Sequence, residues 1–163
     1  MTLNPAVVEL AAQSYAAISV SVPMNALASV GERIPEVYAW LDAQRVAPAG
    51  APFFKYDVID MDGLLQLTVG VPVSGAIAGQ GDIRPGVFPA GRYVTVTHVG
   101  HPDELYGVTG ALLSWAEGEG LTFDMTRAPD GEHWTSRYES YETDPRDEPD
   151  MAKWETVLCF KLT

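Results

Sequence analysis

Residues 53–73, FFKYDVIDMDGLLQLTVGVPV, contain the pattern from which the fold can be predicted. From residue 64 to residue 73, apolar side chains alternate with polar or small ones, which is typical of a strand with one buried face. The first part, Phe53–Ile59, has the aromatic and β-branched composition of a second strand. The MDG segment between them favours a tight turn, so the whole stretch predicts a β-hairpin.

The elements on either side of this hairpin follow one plan twice. Apolar residues at helical spacing predict a long helix from Asn25 to Gln44, irregular in its first half, and another from Asp103 to about Glu119. Alternating patterns predict further strands at residues 7–10, 15–22, 91–99, 133–143 and 154–162. Residues 74–90 are rich in Gly and Pro and are expected to form a long connection without regular structure.

The resulting order is β-α-β-β, connection, β-α-β-β. Each half has too few elements to bury a core alone, so we expect an α+β fold with a single domain over residues 1–163. Its pseudo-repeats, at about 1–75 and 88–163, would form one antiparallel sheet with both helices on one face and a ligand groove between the halves. Trp40 and Trp115 hold the same place near the ends of the two helices and are expected to pack against the sheet.

Composition excludes several classes of function. The chain has 163 residues, 47% of them hydrophobic, and a formal net charge of −12. A chain this acidic lacks the clustered cations that bind nucleic acid directly. It has no apolar run of ~18 residues, so we expect no membrane partner and a cytoplasmic location. Cys159, the single cysteine, lies in an apolar pattern and is expected to be a small buried hydrophobic residue.

The segment HWTSRYESYETD, residues 133–144, contains the strongest candidate site residue, Glu139. Read as one strand, it places Arg137, Glu139 and Tyr141 on one face. The opposite face would carry Trp134, Ser136, Tyr138 and Ser140. A carboxylate among aromatic side chains is partly desolvated and needs compensation, from Arg137 on the same face, from a hydroxyl, from water or from a bound cation. The alternative is an ordinary surface Glu–Arg or Glu–Lys cross-strand pair. Burial would raise the pKa of Glu139 and a nearby Arg137 would lower it, and we expect burial to prevail if Arg137 turns outward to solvent.

The aromatic residues suggest the kind of ligand. A groove lined by Tyr56, Tyr106 and Tyr141 around one carboxylate would suit a flat, hydrophobic, cationic molecule, since ring faces attract cations. The sequence has neither a nucleophile motif nor a phosphate-binding glycine loop. His98 and His101 have a spacing seen in zinc sites but no closed set of further ligands, so neither a metal nor a cofactor is expected.

The whole chain resembles the GyrI-like small-molecule-binding family, which includes the effector-binding domains of AraC- and MerR-type transcription regulators. The segments that carry the resemblance are VYAWLDAQRVAPAGAPFFKYDV, LTVGVPV, GDIRPGVFPAGRYVTVTHVGHPDELYG, LLSWAEGEG, RYESYETDP and KWETVLCFKL. The helix-turn-helix of the regulators is not among them, and the chain is therefore expected to be a stand-alone member.

The resemblance implies a tandem β-α-β-β fold with a ligand groove, and an acidic groove residue that meets cationic, aromatic ligands. The family's Phe/Tyr-Glu-x-Tyr segment falls on residues 138–141, which assigns that role to Glu139. Its Gly-Pro-Tyr loop is replaced by Gly-His-Pro at residues 100–102, where Tyr106 on the next helix is the nearest substitute. We expect the ligand-binding residues to be Glu139, Tyr141, Tyr56, Phe54, Trp40, Tyr106 and Trp115.

Three functions are compatible with these expectations. The first is binding or sequestration of planar, hydrophobic, cationic small molecules, with Glu139 as the counter-charge. The second is hydrolysis of reactive cyclopropane-containing natural products, with Glu139 as general base. The third is an acidic protein-interaction module, such as a gyrase inhibitor, that captures a basic protein partner. The sequence leaves the choice among them open, as it does the oligomeric state.

Overall fold

The protein is built on one antiparallel sheet, and its two main helices lie on one face of it. A computed structural model describes residues 4–163. The strands are β1 (Ala6–Leu10), β2 (Gln13–Pro23), β3 (Phe53–Ile59), β4 (Leu64–Pro72), β5 (Ile83–Phe88), β6 (Gly91–Val99), β7 (Met125–Ala128), β8 (Gly131–Trp134), β9 (Arg137–Tyr141) and β10 (Glu155–Lys161). Their order is β1-β6-β10-β9-β3-β4-β2-β5, with β7 paired to β8 and β8 to β3. The predicted α+β class is confirmed.

The predicted hairpin is formed by β3 and β4. Phe54 lies opposite Val69 and Tyr56 opposite Leu67, and the register shifts at a bulge just after Tyr56. The alternation along β4 has the expected result, because Leu65, Leu67, Val69 and Val71 are all buried in one core cluster. The hairpin therefore provides the middle of the sheet, where the two halves of the chain meet.

The two halves are related by a pseudo-two-fold arrangement. The first contributes β2, β4 and β3 in that order, and the second contributes β6, β10 and β9. The halves join where β3 pairs antiparallel with β9, and this pairing sets Phe54 directly opposite Glu139. The residues that face the helices on these two strands are therefore brought to the centre of the molecule.

The connection at residues 74–90 was predicted without regular structure, and that prediction is wrong. It contains β5, which pairs with the edge of β2, while β1 crosses to the edge of β6. Each half thus contributes its first strand to the sheet edge of the other half: β1 pairs with β6, and β5 pairs with β2. Pro85 is tolerated because an edge strand does not need every N–H group, and Gly86 is required because a Cβ there would lie 2.4 Å from the Tyr15 ring.

Three helices cover one face of the sheet. They are α1 (Leu27–Val30), α2 (Ile34–Ala43) and α3 (Leu105–Gly118). The predicted first helix is irregular in its first half, as expected, because 3₁₀ turns at Met24–Ala26 and Gly31–Arg33 flank α1. Buried stripes attach α2 through Val37 and Leu41, and α3 through Val108 and Leu112. Within residues 4–163, no helix is both long enough and apolar enough to cross a membrane.

The ends of α2 and α3 are built alike. Arg45 and Gly120 both adopt the left-handed conformation, with φ of 57° and 73°. In each case the backbone N–H of the following residue donates a hydrogen bond to a carbonyl oxygen of the helix. Val46 N donates to Leu41 O at 2.9 Å, and Leu121 N donates to Ala116 O at 3.0 Å. This is the usual glycine-type helix ending, but the first half has an arginine at the glycine position.

Arg45→Gly is therefore expected to raise the free energy of unfolding by about 0.5–1 kcal/mol, since a side chain is strained in this conformation. Gly120→Ala is the matched opposite change and should lower it by a similar amount. Urea denaturation of both variants measures the effect. A less stable Arg45→Gly would mean that contacts of the arginine side chain outweigh the strain.

The predicted strand at residues 133–143 is also wrong in one respect. It is two strands, β8 and β9, separated by a bend, and β8 forms a hairpin with β7. The bend is held by Asp124, whose backbone oxygen accepts from Thr135 N and whose Oδ1 accepts from Thr135 Oγ1 at 2.8 Å. Because the alternation restarts after the bend, Trp134 lies on the same side as Arg137 and not with Ser136 and Tyr138.

Core residues occupy both faces of the sheet. Two clusters lie under the helices, one for each half, and Tyr141 packs against both of them. A third cluster on the opposite face joins Tyr15, Phe53 and Phe88, with Tyr138 packed against it. The helix-facing clusters leave the space above β3 and β9 open, and that space is the candidate site.

Candidate functional site

A large cavity lies between α2 and α3, above the junction of β3 and β9. Its volume is about 2090 Å³. The walls are formed by the 3₁₀ turn before α1, by α2 and the loop after it, and by the first turns of α3. The floor is formed by the helix-facing side chains Phe54 and Tyr56 of β3 and Arg137, Glu139 and Tyr141 of β9.

Glu139 is the buried carboxylate of this floor. Its side chain is only 7% exposed, and it accepts a hydrogen bond from the Tyr141 hydroxyl at its Oε2, at 2.8 Å. None of the ion pairs formed among residues 4–163 includes it. Burial raises the pKa of Glu139 above its ordinary value, and the neighbouring Tyr141, Arg137 and Tyr56 only partly oppose that rise.

Two phenols accompany the carboxylate. Burial, together with the negative charge of Glu139, raises the pKa of Tyr56 and that of Tyr141 far above the range of neutral pH. Both phenols therefore remain protonated and act as hydrogen-bond donors. The ring of Tyr141 also meets that of Phe54 edge-on, with centroids 5.6 Å apart. The surroundings of Glu139 are thus aromatic and poor in water.

Arg137 does not turn outward to solvent, which was the condition attached to the expected rise in the pKa of Glu139. Its guanidinium carbon lies 4.5 Å from the ring centre of Phe160, 4.7 Å from that of Trp134 and 5.6 Å from that of Tyr56. Attraction between the cation and these ring faces keeps it inside. Burial lowers the pKa of the Arg137 guanidinium, which marks it as a desolvated charge. The expected rise in the pKa of Glu139 nevertheless holds, because burial outweighs the effect of this neighbour.

Four exposed apolar side chains surround the opening of the cavity, and together they are called the mouth here. They are Met24, Tyr38, Met61 and Tyr106, and Tyr106 is 78% exposed. Of these, only Tyr106 was expected at the site. The spacing of Tyr38 with Ile34 and Leu41 on α2 would have placed it on the same face as those lining residues. No feature of the sequence singled out Met24 or Met61.

Trp40 and Trp115 were expected to bind ligand, but the structure places neither in the cavity lining. Each lies two residues beyond a lining side chain, Tyr38 or Leu113, and two residues turn a helix by roughly 200°. Both instead pack against the core of their own half, as the matching positions predicted. The indole of Trp40 donates to Gln80 Oε1 at 2.9 Å.

Carboxylates predominate around the cavity. Besides Glu139, the acidic lining residues are Asp42, Asp103, Glu132, Glu142, Asp144 and Glu155, whereas the basic ones are Arg45, Arg137 and Arg146. Arg146 is already paired with Asp144 at 2.7 Å. The opening therefore has a negative potential, which attracts cations and repels anions at a distance.

His98 and His101 have separate local roles. His98 is buried beneath the start of α3, with its Nε2 3.9 Å from Glu104 Oε1. His101 precedes that helix, and its Nδ1 accepts from Asp103 N at 3.0 Å. In the part of the chain from residue 4 onward, no group of three or more His, Cys, Asp or Glu side chains could hold a metal ion.

The sequence pattern of the GyrI-like small molecule binding domain matches residues 3–158. The chain belongs to the GyrI-like family. No curated protein sequence is similar enough to match this GyrI-like domain.

Solved structures show the same fold. The C-terminal domain of EcmrR has a TM-score of 0.76 and 21% identity, with 100% of this chain and 99% of that chain covered. EcmrR in its DNA complex has a TM-score of 0.78 and 21% identity, with 98% of this chain covered, and this chain spans only 57% of the length of that EcmrR chain. SAV2435 bound to tetraphenylphosphonium has a TM-score of 0.68 and 11% identity, with 98% and 94% covered. At these identities the likeness concerns the fold alone.

Proposed function

We propose that this GyrI-like domain binds hydrophobic aromatic cations, with Glu139 as their counter-charge. The observation that carries the proposal is a carboxylate that is 7% exposed on the floor of a large apolar cavity and has a hydroxyl, but no cation, as its hydrogen-bond partner. An ionised group in such a place is unfavourable alone. A bound cation would supply the missing charge, and the surrounding rings would contact its aromatic groups.

The mouth supports the same proposal. Exposed methionines adapt to ligands of different outline, and Met24 and Met61 line the cavity together with Tyr38 and Tyr106. The carboxylates around the opening favour entry of positively charged molecules. A relative of the same fold, SAV2435, has been solved with tetraphenylphosphonium, a molecule of this chemical class.

Tetraphenylphosphonium and tetraphenylborate test the proposal, because they have nearly the same size and opposite charge. The wild-type protein is expected to bind the phosphonium at least tenfold more tightly than the borate, which isothermal titration calorimetry would measure. Equal affinity for both ions would show that the cavity selects by hydrophobic contact and not by charge.

Hydrolysis is the second candidate, favoured by the raised pKa of Glu139 beside two protonated phenols. A carboxylate with such a pKa is a better general base near neutral pH, and a phenol can donate to a leaving oxygen. A hydrolase from Listeria innocua shares the fold, with a TM-score of 0.60 and 15% identity over 98% of this chain and 91% of that chain. Turnover of a cyclopropane-containing electrophile that disappears in Glu139→Gln would support this function. Binding without product would support the first.

A further inference from the structure

Arg137 is a partly buried cation, and no side-chain or backbone oxygen among residues 4–163 accepts a hydrogen bond from its enclosed Nε. Among residues 4–163 it takes part in no ion pair, and its Nε is fully enclosed and has no partner. The three aromatic rings around it stabilise the charge but accept no strong hydrogen bond. Buried guanidinium groups are normally satisfied by carboxylate or carbonyl oxygens, so this donor set is left unused by the fold.

Neighbouring carboxylates do not fill this gap. Glu132 is already engaged, because its Oε2 pairs with Arg127 at 3.0 Å and its Oε1 accepts from the Trp134 indole at 3.2 Å. Glu139 is engaged by the Tyr141 hydroxyl. Arg137 lines the cavity, and its terminal nitrogens, unlike Nε, are not fully enclosed, so an acceptor can reach them from the ligand space.

Arg137 and Glu139 together form a pair of opposite charges on the cavity floor. They are two residues apart on one face of β9, which separates them by roughly 7 Å along the strand. This distance is shorter than a fused three-ring aromatic system. One aromatic ligand can therefore meet the carboxylate with a cationic group and the guanidinium with an oxygen.

We infer that the preferred ligands are amphoteric aromatic molecules, which carry a carboxylate for Arg137 in addition to the cation for Glu139. This inference rests on the proposed function and narrows the class of ligand. Planar guanidinium donors bind a carboxylate through two parallel hydrogen bonds, which fixes the orientation of the ligand as well as adding affinity. A cation that lacks the carboxylate would leave Arg137 unsatisfied in the complex.

Two dyes test the inference. Tetramethylrhodamine and tetramethylrosamine share one cationic ring system, but only the first carries a carboxylate. Wild-type protein is expected to bind tetramethylrhodamine at least tenfold more tightly, measured by fluorescence anisotropy at neutral pH. Equal binding, or a preference for tetramethylrosamine, would overturn the inference without any variant.

Arg137→Met then tests whether the preference for tetramethylrhodamine depends on Arg137. It is expected to abolish the preference for tetramethylrhodamine over tetramethylrosamine, measured as the ratio of the two affinities, and Arg84→Met, an exposed arginine on β5 away from the cavity, should keep the wild-type ratio. Should Arg137→Met not fold, Arg137→Lys provides the same comparison with the charge kept and is expected to retain part of the preference. An undiminished preference in Arg137→Met, or in Arg137→Lys should Arg137→Met not fold, would overturn the inference.

Glu139→Gln distinguishes this inference from the function on which it rests. Glu139→Gln should weaken the binding of tetramethylrosamine at least tenfold. If it does not, Glu139 is not the counter-charge and the proposed function fails, whereas the difference between the two dyes still reports on Arg137.

Discussion

Replacing Glu139 by glutamine is expected to weaken tetraphenylphosphonium binding at least tenfold, which is about 1.4 kcal/mol, and to strengthen tetraphenylborate binding. The two side chains have the same shape, and the glutamine oxygen can still accept from the Tyr141 hydroxyl that now meets Glu139. The change therefore removes a charge and little else. Calorimetric titration of both ions measures it, and Glu119→Gln at the exposed end of α3 is the control for general loss of negative charge.

Glu139→Gln should also remove the pH dependence of the affinity for tetraphenylphosphonium. Burial raises the pKa of Glu139, so the cation-binding, ionised form is lost as the pH falls through that raised value. Wild-type affinity for tetraphenylphosphonium should decline over this interval, whereas that of Glu139→Gln should stay flat. Parallel curves for the two proteins would assign the pH dependence to other groups.

The stability of the ligand-free protein provides an independent measurement of the raised pKa of Glu139. Because the pKa of Glu139 is higher in the folded than in the unfolded state, folding favours the protonated form. The stability gained from protonation is present below the ordinary glutamate pKa of about 4.3 and is lost as the pH rises through the folded-state value. Glu139→Gln should therefore be more stable than wild type at neutral pH and equally stable in acid. Lower stability of this variant at neutral pH would contradict the argument.

Trp134→Ala is expected to lower the free energy of unfolding by about 3–5 kcal/mol, the range for truncating a large buried ring. Trp134 is 6% exposed and packs against Phe160, with centroids 5.8 Å apart, and against Phe123 at 5.3 Å. It also covers the guanidinium of Arg137. Urea denaturation monitored by circular dichroism measures the loss.

Trp115→Ala is the matched control, because this ring packs at the edge of the same core and is only partly buried. Trp115→Ala should lower the free energy of unfolding clearly less than Trp134→Ala does. Equal losses would mean that the packing around Arg137 adds nothing to what a peripheral tryptophan contributes.

The central part of the fold could be predicted because its signals are local. The alternation along β4 and the turn at its start are visible in adjacent residues. The edge strand β5 could not be predicted, because Pro85 and Gly86 resemble a linker and are suited to a strand only by its edge position and by the Tyr15 ring. The bend before β9 was not predicted for a similar reason. It depends on Asp124, which directly precedes β7 and lies 11 residues before Thr135.

The site was predictable to the same extent. The two-residue period of a strand places Glu139 and Tyr141 together, and this holds in the structure. The position of Arg137 was not predictable, because the rings that enclose it come from β3, β8 and β10, which are far apart in the chain. The tryptophans near the helix ends indicated packing correctly, but their direction depends on how each helix is rotated about its own axis.

The exchange of leading strands has a consequence for synthesis on the ribosome. β1 leaves the ribosome before β6, with which it pairs, and β2 leaves before β5, its partner at the sheet edge. Neither edge can close until residues 83–99 have been translated, so the nascent first half exposes unpaired backbone during that time. Such non-local pairing slows folding and invites association with other chains. Completion of the sheet is therefore a late event, which involves both halves at once.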